Sequence, residues 1–153
     1  MSALDFFESI PALQRSVDAL RSQIETAYTI ATPHGQRFGT VGGGGGDQLA
    51  GIDSIVDSNA AMRLETAEGM LLRRMDLATD VLYGRSGRGG LAKATCTDDA
   101  DLLCFHYLQG ESWASIARRY GADDANLTTW CRRRAVHLCR TIDRIGMRAL
   151  ADS

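Results

Sequence analysis

Apolar side chains recur at helical spacing along almost the whole chain. Leu13, Val17, Leu20, Ile24, Ala27 and Ala31 alternate steps of four and three residues. That pattern is the seam of a coiled coil, with Ser16, Asp18, Arg21, Gln23 and Glu25 lying off it. Pro11 suits the first turn of this helix, and Pro33 with Gly35 ends it. Before Pro11, residues 2–10 read as a separate turn or two, with Ser2 as a cap and Phe6 and Phe7 as apolar anchors. A second stripe follows a possible Asp47 cap: Leu49, Ile52, Val56, Ala60, Leu64, Ala67, Leu71, Met75, Ala78 and Leu82. Its mean spacing suits a long, nearly straight helix that Gly51 and Gly69 could interrupt. The two stripes can cover one another as an antiparallel hairpin, or pair with a second subunit as a homo-oligomer. The pattern leaves both open.

The last third changes character. Residues 98–108 form a helix capped by its aspartates, with Leu102, Leu103, Phe105 and Leu108 for a core and Gly110 as its stop. Ser112 caps a short helix whose Ile116 and Ala117 face inward. Gly121 supplies a left-handed turn, and Asp123 or Asp124 caps the next helix. Leu127 and Trp130 should point back at Ile116 and Tyr120, with Cys131, Leu138, Ile142 and Ile145 continuing inward to about Leu150. Nothing alternates with a strand period for long. The expected fold is all-α: an N-terminal helical hairpin or coiled-coil arm over 1–83, a flexible linker at 84–97, and a helix-turn-helix domain over 98–153.

With 153 residues, 44% of them hydrophobic, the chain can bury one modest core or a small domain plus an arm. No apolar run is long enough to cross a membrane and no secretory leader is visible, so a cytoplasmic location is expected. Four cysteines without a short paired spacing fit free thiols in a reducing compartment. The net charge of −2 hides an asymmetry. Residues 1–100 carry nine Lys/Arg against thirteen Asp/Glu, whereas residues 112–151 carry eight Arg against three Asp. A basic end of this kind is what meets phosphate, although a solvated helix face also explains a charge run.

Candidate chemistry narrows quickly. Residues 33–46 end in five glycines, Gly42 to Gly46, but Asp47-Gln48-Leu49 follows where a phosphate-binding loop needs Lys-Ser/Thr. A flexible tether is the expected role. Arg85 and Arg88 lie in a second glycine-rich stretch read the same way. Cys104, His106, Cys131, His137 and Cys139 include no Cys-x-x-Cys and sit at core-type positions, so no metal or other cofactor is expected. No nucleophile–base grouping is present, so no enzyme is expected. The recognition helix remains. Asn126, Thr128, Thr129, Arg132, Arg133 and Arg140 are candidate contacts to double-stranded DNA, with amides for adenine and arginines for guanine or phosphate. Asn126, Thr129, Arg132 and Arg133 are expected on the face opposite Leu127 and Cys131, and Arg140 and Arg144 extend it. Arg118 and Arg119 on the preceding helix suit backbone phosphates.

On these residues a family likeness rests. Residues 101–145 resemble region 4 of bacterial sigma-70-type factors: a Leu-rich helix ending in Tyr107-Leu-Gln-Gly110, then Trp113-Ala-Ser-Ile-Ala117, a glycine turn, and a helix with Arg134-Ala135. The layout, an N-terminal helix, a Gly-rich linker with Gly-Asp, a long helix and then this unit, is similar to small phage-encoded, sigma-like transcription regulators. The resemblance implies sequence-specific DNA binding that regulates phage or prophage genes, with RNA polymerase as a further partner to test. No promoter-melting region is visible. A small terminase-type DNA-packaging subunit, which also joins a helix-turn-helix to helical oligomerisation segments, is the alternative.

Overall fold

A computed structural model describes residues 1–31, 46–121 and 124–153, and side chains within them except at 30, 31 and 46–57. The tether at 33–45 and the Asp123 cap lie outside the described residues, and so do the side chains of the expected Asp47 cap and of the Leu49–Val56 start of the second stripe, whose backbone is helical. Among the described residues every regular element is helical, and no helix is long and apolar enough to cross a membrane. In order they are α1 (Ala3–Ala31), α2 (Gly46–Tyr83), α3 (Gly90–Ala94), α4 (Thr97–Leu103), α5 (Trp113–Arg119), α6 (Ala125–Ile145) and α7 (Met147–Ala151). The chain divides into two compact units, one of residues 1–12 with 71–153 and one of residues 13–70.

The smaller unit is an antiparallel helical pair. Leu13 of α1 lines one shallow groove with Thr66, Ala67 and Met70 of α2, while Leu20, Ile24 and Ala27 line another with Asn59, Ala60 and Arg63. The seam from Leu13 to Ala27 therefore lies along residues 59–70 of α2 within a single chain. Arg21 clips the pair by donating from Nε and Nη2 to Glu68 Oε1 at 3.2 and 2.8 Å. Both side chains are well exposed, so the clip adds only a fraction of a kcal/mol, about 0.2–1. Helix α2 runs unbroken through Gly69.

The larger unit starts with a reciprocal cap. Ser2 Oγ accepts from the Asp5 N–H at 3.2 Å and Asp5 Oδ2 accepts from the Ser2 N–H at 3.1 Å. Pro11 does not open a new helix, as its sequence position suggested; it sits inside α1. The proline ring removes the bond to the Phe7 carbonyl, but Phe7 and Ile10 before it and Val17 after it are buried, and that burial carries the helix through. Phe7 packs 5.6 Å from the Tyr107 ring, and the Ala3 N–H donates to Asp143 Oδ1 at 2.7 Å. The opening residues thus belong to the same unit as α4–α7, and the expected division at residue 83 is corrected.

The stretch 84–97 is also not a plain linker. It contains α3, with Leu91 fully buried, and its glycines seat residues 151–153. The Arg85 N–H donates to the Ala151 carbonyl at 3.1 Å and the Gly90 N–H to Ser153 Oγ at 2.7 Å. A Cβ on Gly89 would lie 2.3 Å from the Ser153 carbonyl oxygen, so glycine is required by the close approach. The composition that reads as a tether is here the composition of a tight backbone contact.

Candidate nucleic-acid interface

Helix α4 is followed by a wider turn over Cys104–Leu108, closed by the Gln109 N–H on the Cys104 carbonyl at 3.0 Å. This i→i−5 pattern is a π-turn. No side chain caps the amino end of α4, contrary to the expected aspartate cap. Asp99 instead accepts from Arg134 Nε and Nη2 at 2.9 and 2.7 Å, which ties α4 to α6. Burial alone would raise the Asp99 pKa, but Arg134's hydrogen bonds and charge outweigh it and hold the carboxyl below its ordinary value.

The π-turn turns Tyr107 inward and brings His106 against Trp113, their rings stacked 3.7 Å apart. His106 Nδ1 is 2.7 Å from the Glu111 carbonyl oxygen. Burial lowers the His106 pKa, the Glu111 contact opposes this, and the nearby Arg132 charge lowers it further. Helix α5 then begins at Ser112, whose Oγ accepts from the Ser115 N–H at 3.1 Å. Ile116 and Ala117 are buried, and α5 packs against α6. After Gly121, at φ 99°, Asp124 caps α6 by accepting from the Asn126 N–H at 2.9 Å.

On α6 the buried stripe is Cys131, Ala135, Leu138, Cys139 and Ile142. The stripe fixes what faces solvent. Asn126, Thr129, Arg133, Arg140 and Arg144 are all exposed and recur at steps of three, four and seven along the opposite side. The Thr129 hydroxyl donates to the Ala125 carbonyl at 3.0 Å. Arg132 is exposed but lies one residue past buried Cys131, about 100° round the helix. It sits on the flank towards His106 rather than on the central face. Thr128 is half-buried, with its hydroxyl on the Asp124 carbonyl at 3.3 Å, and does not join that face.

The two arginines of α5 have different fates. Arg118 is exposed and reaches only the Ala114 carbonyl, at 3.4 Å. Arg119 is held by both oxygens of Glu111 and lies over the Phe105 ring, 4.4 Å from its centroid. It braces α5 against the π-turn. Among the described residues Arg118, Arg132, Arg133, Arg140 and Arg144 form no ion pair, whereas Arg119 and Arg134 are paired within the fold.

Three expectations need correcting here. Leu127 and Trp130 share a groove with Tyr120 as expected, but Trp130 is 54% exposed rather than inward, since it lies about 100° round the helix from buried Cys131. Ile145 is 41% exposed rather than inward. Helix α6 stops at Gly146, at φ 98°, and α7 turns back so that Leu150 and Ala151 are buried. Sequence reasoning also missed the Asp99–Arg134 pair, for which a spacing of 35 residues leaves no local signal. A groove of about 510 Å³, lined by Leu102, Tyr120, Leu127, Trp130 and the Asp99–Arg134 pair, went unseen for the same reason.

Among the described residues no three His, Cys, Asp or Glu side chains converge as a metal site. No protein-family model, curated protein or solved structure matches the chain.

Proposed function

We propose that the chain is a double-stranded DNA-binding regulator of transcription, with α6 as the helix that enters the major groove and α5 as its support. The observation that carries the reading is the solvent face of α6. Asn126 and Thr129 stand at its amino-terminal end, and Arg133, Arg140 and Arg144 continue it without an ion-pair partner among the described residues. The arginines span about 16 Å of helix axis at 1.5 Å per residue. In such an arrangement the amide and hydroxyl near the helix start suit base edges, and the arginines beyond them suit guanine or phosphate. Arg118 adds a free cation from α5, whereas Arg119 and Arg134 serve the fold and drop out of the contact set. The transcription part of the proposal, with phage or prophage genes as its setting and RNA polymerase as partner, rests on the sigma-region-4 likeness of residues 101–145.

The test is binding of a random-sequence duplex pool, followed by salt titration on the selected sequence. Each lost arginine–phosphate contact should flatten the slope of log K against log salt by about one. Arg133→Ala with Arg140→Ala should weaken binding and flatten the slope, while Arg118→Ala should flatten it less. Unchanged mobility of the duplex with the double variant would overturn the assignment. Stimulated run-off transcription by RNA polymerase on the selected sequence tests the regulatory step separately.

A further inference from the structure

The exposed side of α6 carries a second surface, beside the arginine face and different in chemistry. Trp130 of α6 and Tyr120, the residue that follows α5, are 54% and 43% exposed, unusual for large aromatic residues where two helices pack. They flank the groove floored by Leu102 and Leu127. The rim on the α4 side is acidic. Asp98 lines it, is exposed and forms no ion pair with a described residue. Arg134, the one cation among the described residues lining the groove, is already neutralised by Asp99. Burial raises the Tyr120 pKa and the charges of Asp98, Asp101 and Asp99 raise it further, so the phenol sits in a negative field.

We infer that this groove is a docking site for a basic amphipathic helix of a protein partner, with an apolar side chain seated between Trp130 and Tyr120 and a Lys or Arg beside Asp98. Charge complementarity selects the occupant. A phosphodiester chain would meet Asp98 in the absence of a free cation in the groove, so DNA is directed to the arginine face instead. An acidic segment is excluded by the same rim. A concave apolar floor with aromatic walls is the form that a helix-in-groove contact uses, with anchors spaced one helical turn apart. The two surfaces lie on neighbouring sides of α6, with Trp130 about 60° round the helix from Arg133. The inference stands independently of the DNA assignment.

The experiment uses the full chain and two labelled helical peptides that share one Leu/Phe face, one flanked by lysines and one by glutamates. Fluorescence anisotropy should show the basic peptide binding and the acidic one not. Trp130→Ala should weaken binding by about thirtyfold, the loss a central aromatic anchor carries. Asp98→Asn should weaken it by about threefold, as expected for one rim charge. Both side chains are exposed, so each variant should keep the native circular dichroism and melting temperature. Arg133→Ala with Arg140→Ala should leave peptide binding intact while it lowers DNA binding. Equal affinity for both peptides, or no effect of Trp130→Ala, overturns the inference. Displacement of the basic peptide by duplex DNA overturns it in favour of a nucleic-acid surface. Loss of a dimer on Trp130→Ala, read by light scattering, overturns it in favour of a second copy of the chain.

Discussion

Arg132, Arg133 and Arg134 are adjacent in sequence and have three different surroundings, which sets up a discriminating experiment. Arg134 is about one-third exposed and donates two charge-assisted hydrogen bonds to Asp99, which is nearly buried. Truncating one partner of a fully buried pair costs roughly 3–5 kcal/mol, and exposed pairs contribute about 0.2–1. With one partner buried and the other partly screened, Arg134→Ala should cost about 2 kcal/mol. For a chain of this size that corresponds to a fall of roughly 4–8 °C in melting temperature. Arg133→Ala, which removes a side chain with no ion pair among the described residues, should leave the melting temperature within about 1 °C, as surface substitutions usually do. The pH dependence checks the cause. The folded-state pKa of Asp99 lies below its ordinary 3.8, so between the two values the unfolded chain binds more protons. The pair's contribution is therefore complete above the unfolded value and is lost as pH falls through the folded one. Thermal melts of wild type and Arg134→Ala should differ at neutral pH and converge in acid. Equal melting temperatures at pH 7, or a gap that persists in acid, would refute the reasoning.

Other outcomes follow from the same structure. Gly89→Ala places a Cβ 2.3 Å from the Ser153 carbonyl oxygen and should destabilise by about 1–3 kcal/mol in chemical denaturation, the range for overpacking. His106 has a folded pKa below its ordinary 6.5, chiefly through burial, so stability should be complete above that value and decline as pH falls below it; melts of His106→Gln across that range should show a flatter decline. Burial pushes the Cys139 thiol up to about 12 and also raises Cys131, while Cys96 is exposed. Alkylation of the native chain, read by mass spectrometry, should therefore label Cys96 well before Cys131 or Cys139.

Much of the fold was legible because helical periodicity is a local property. The seam from Leu13 to Ala27 and the stripe from Ala60 to Leu82 turn inward as their spacing demands, and Ser112 and Asp124 cap where their chemistry suggests. What could not be read was decided by contacts distant in sequence. Pro11 argues locally for a helix start, yet burial of Phe7, Ile10 and Val17 overrides it. The glycines at 84–90 argue for a tether, yet they let residues 151–153 approach their backbone. Within the candidate interface, Asn126, Thr129, Arg133 and Arg140 share a face as expected, whereas Arg132, expected on it too, lies on the flank beside buried Cys131. Arg119 and Arg134 differ from Arg118 and Arg133 only through Glu111 and Asp99, and no run of arginines reveals which members a distant carboxylate will take.

The π-turn at Cys104–Leu108 has a further consequence for how faces are assigned downstream. A wide turn holds one residue more than an α-turn would, and one residue is worth about 100° of rotation. Tyr107 meets Phe7, and His106 meets Trp113, only because that extra residue is present. A chain shorter by one residue here could keep the hydrogen bonding and composition of every helix and still bring the wrong side of the π-turn to α5. The turn works as a phase setting: it fixes which side chains the following helices have to pack against.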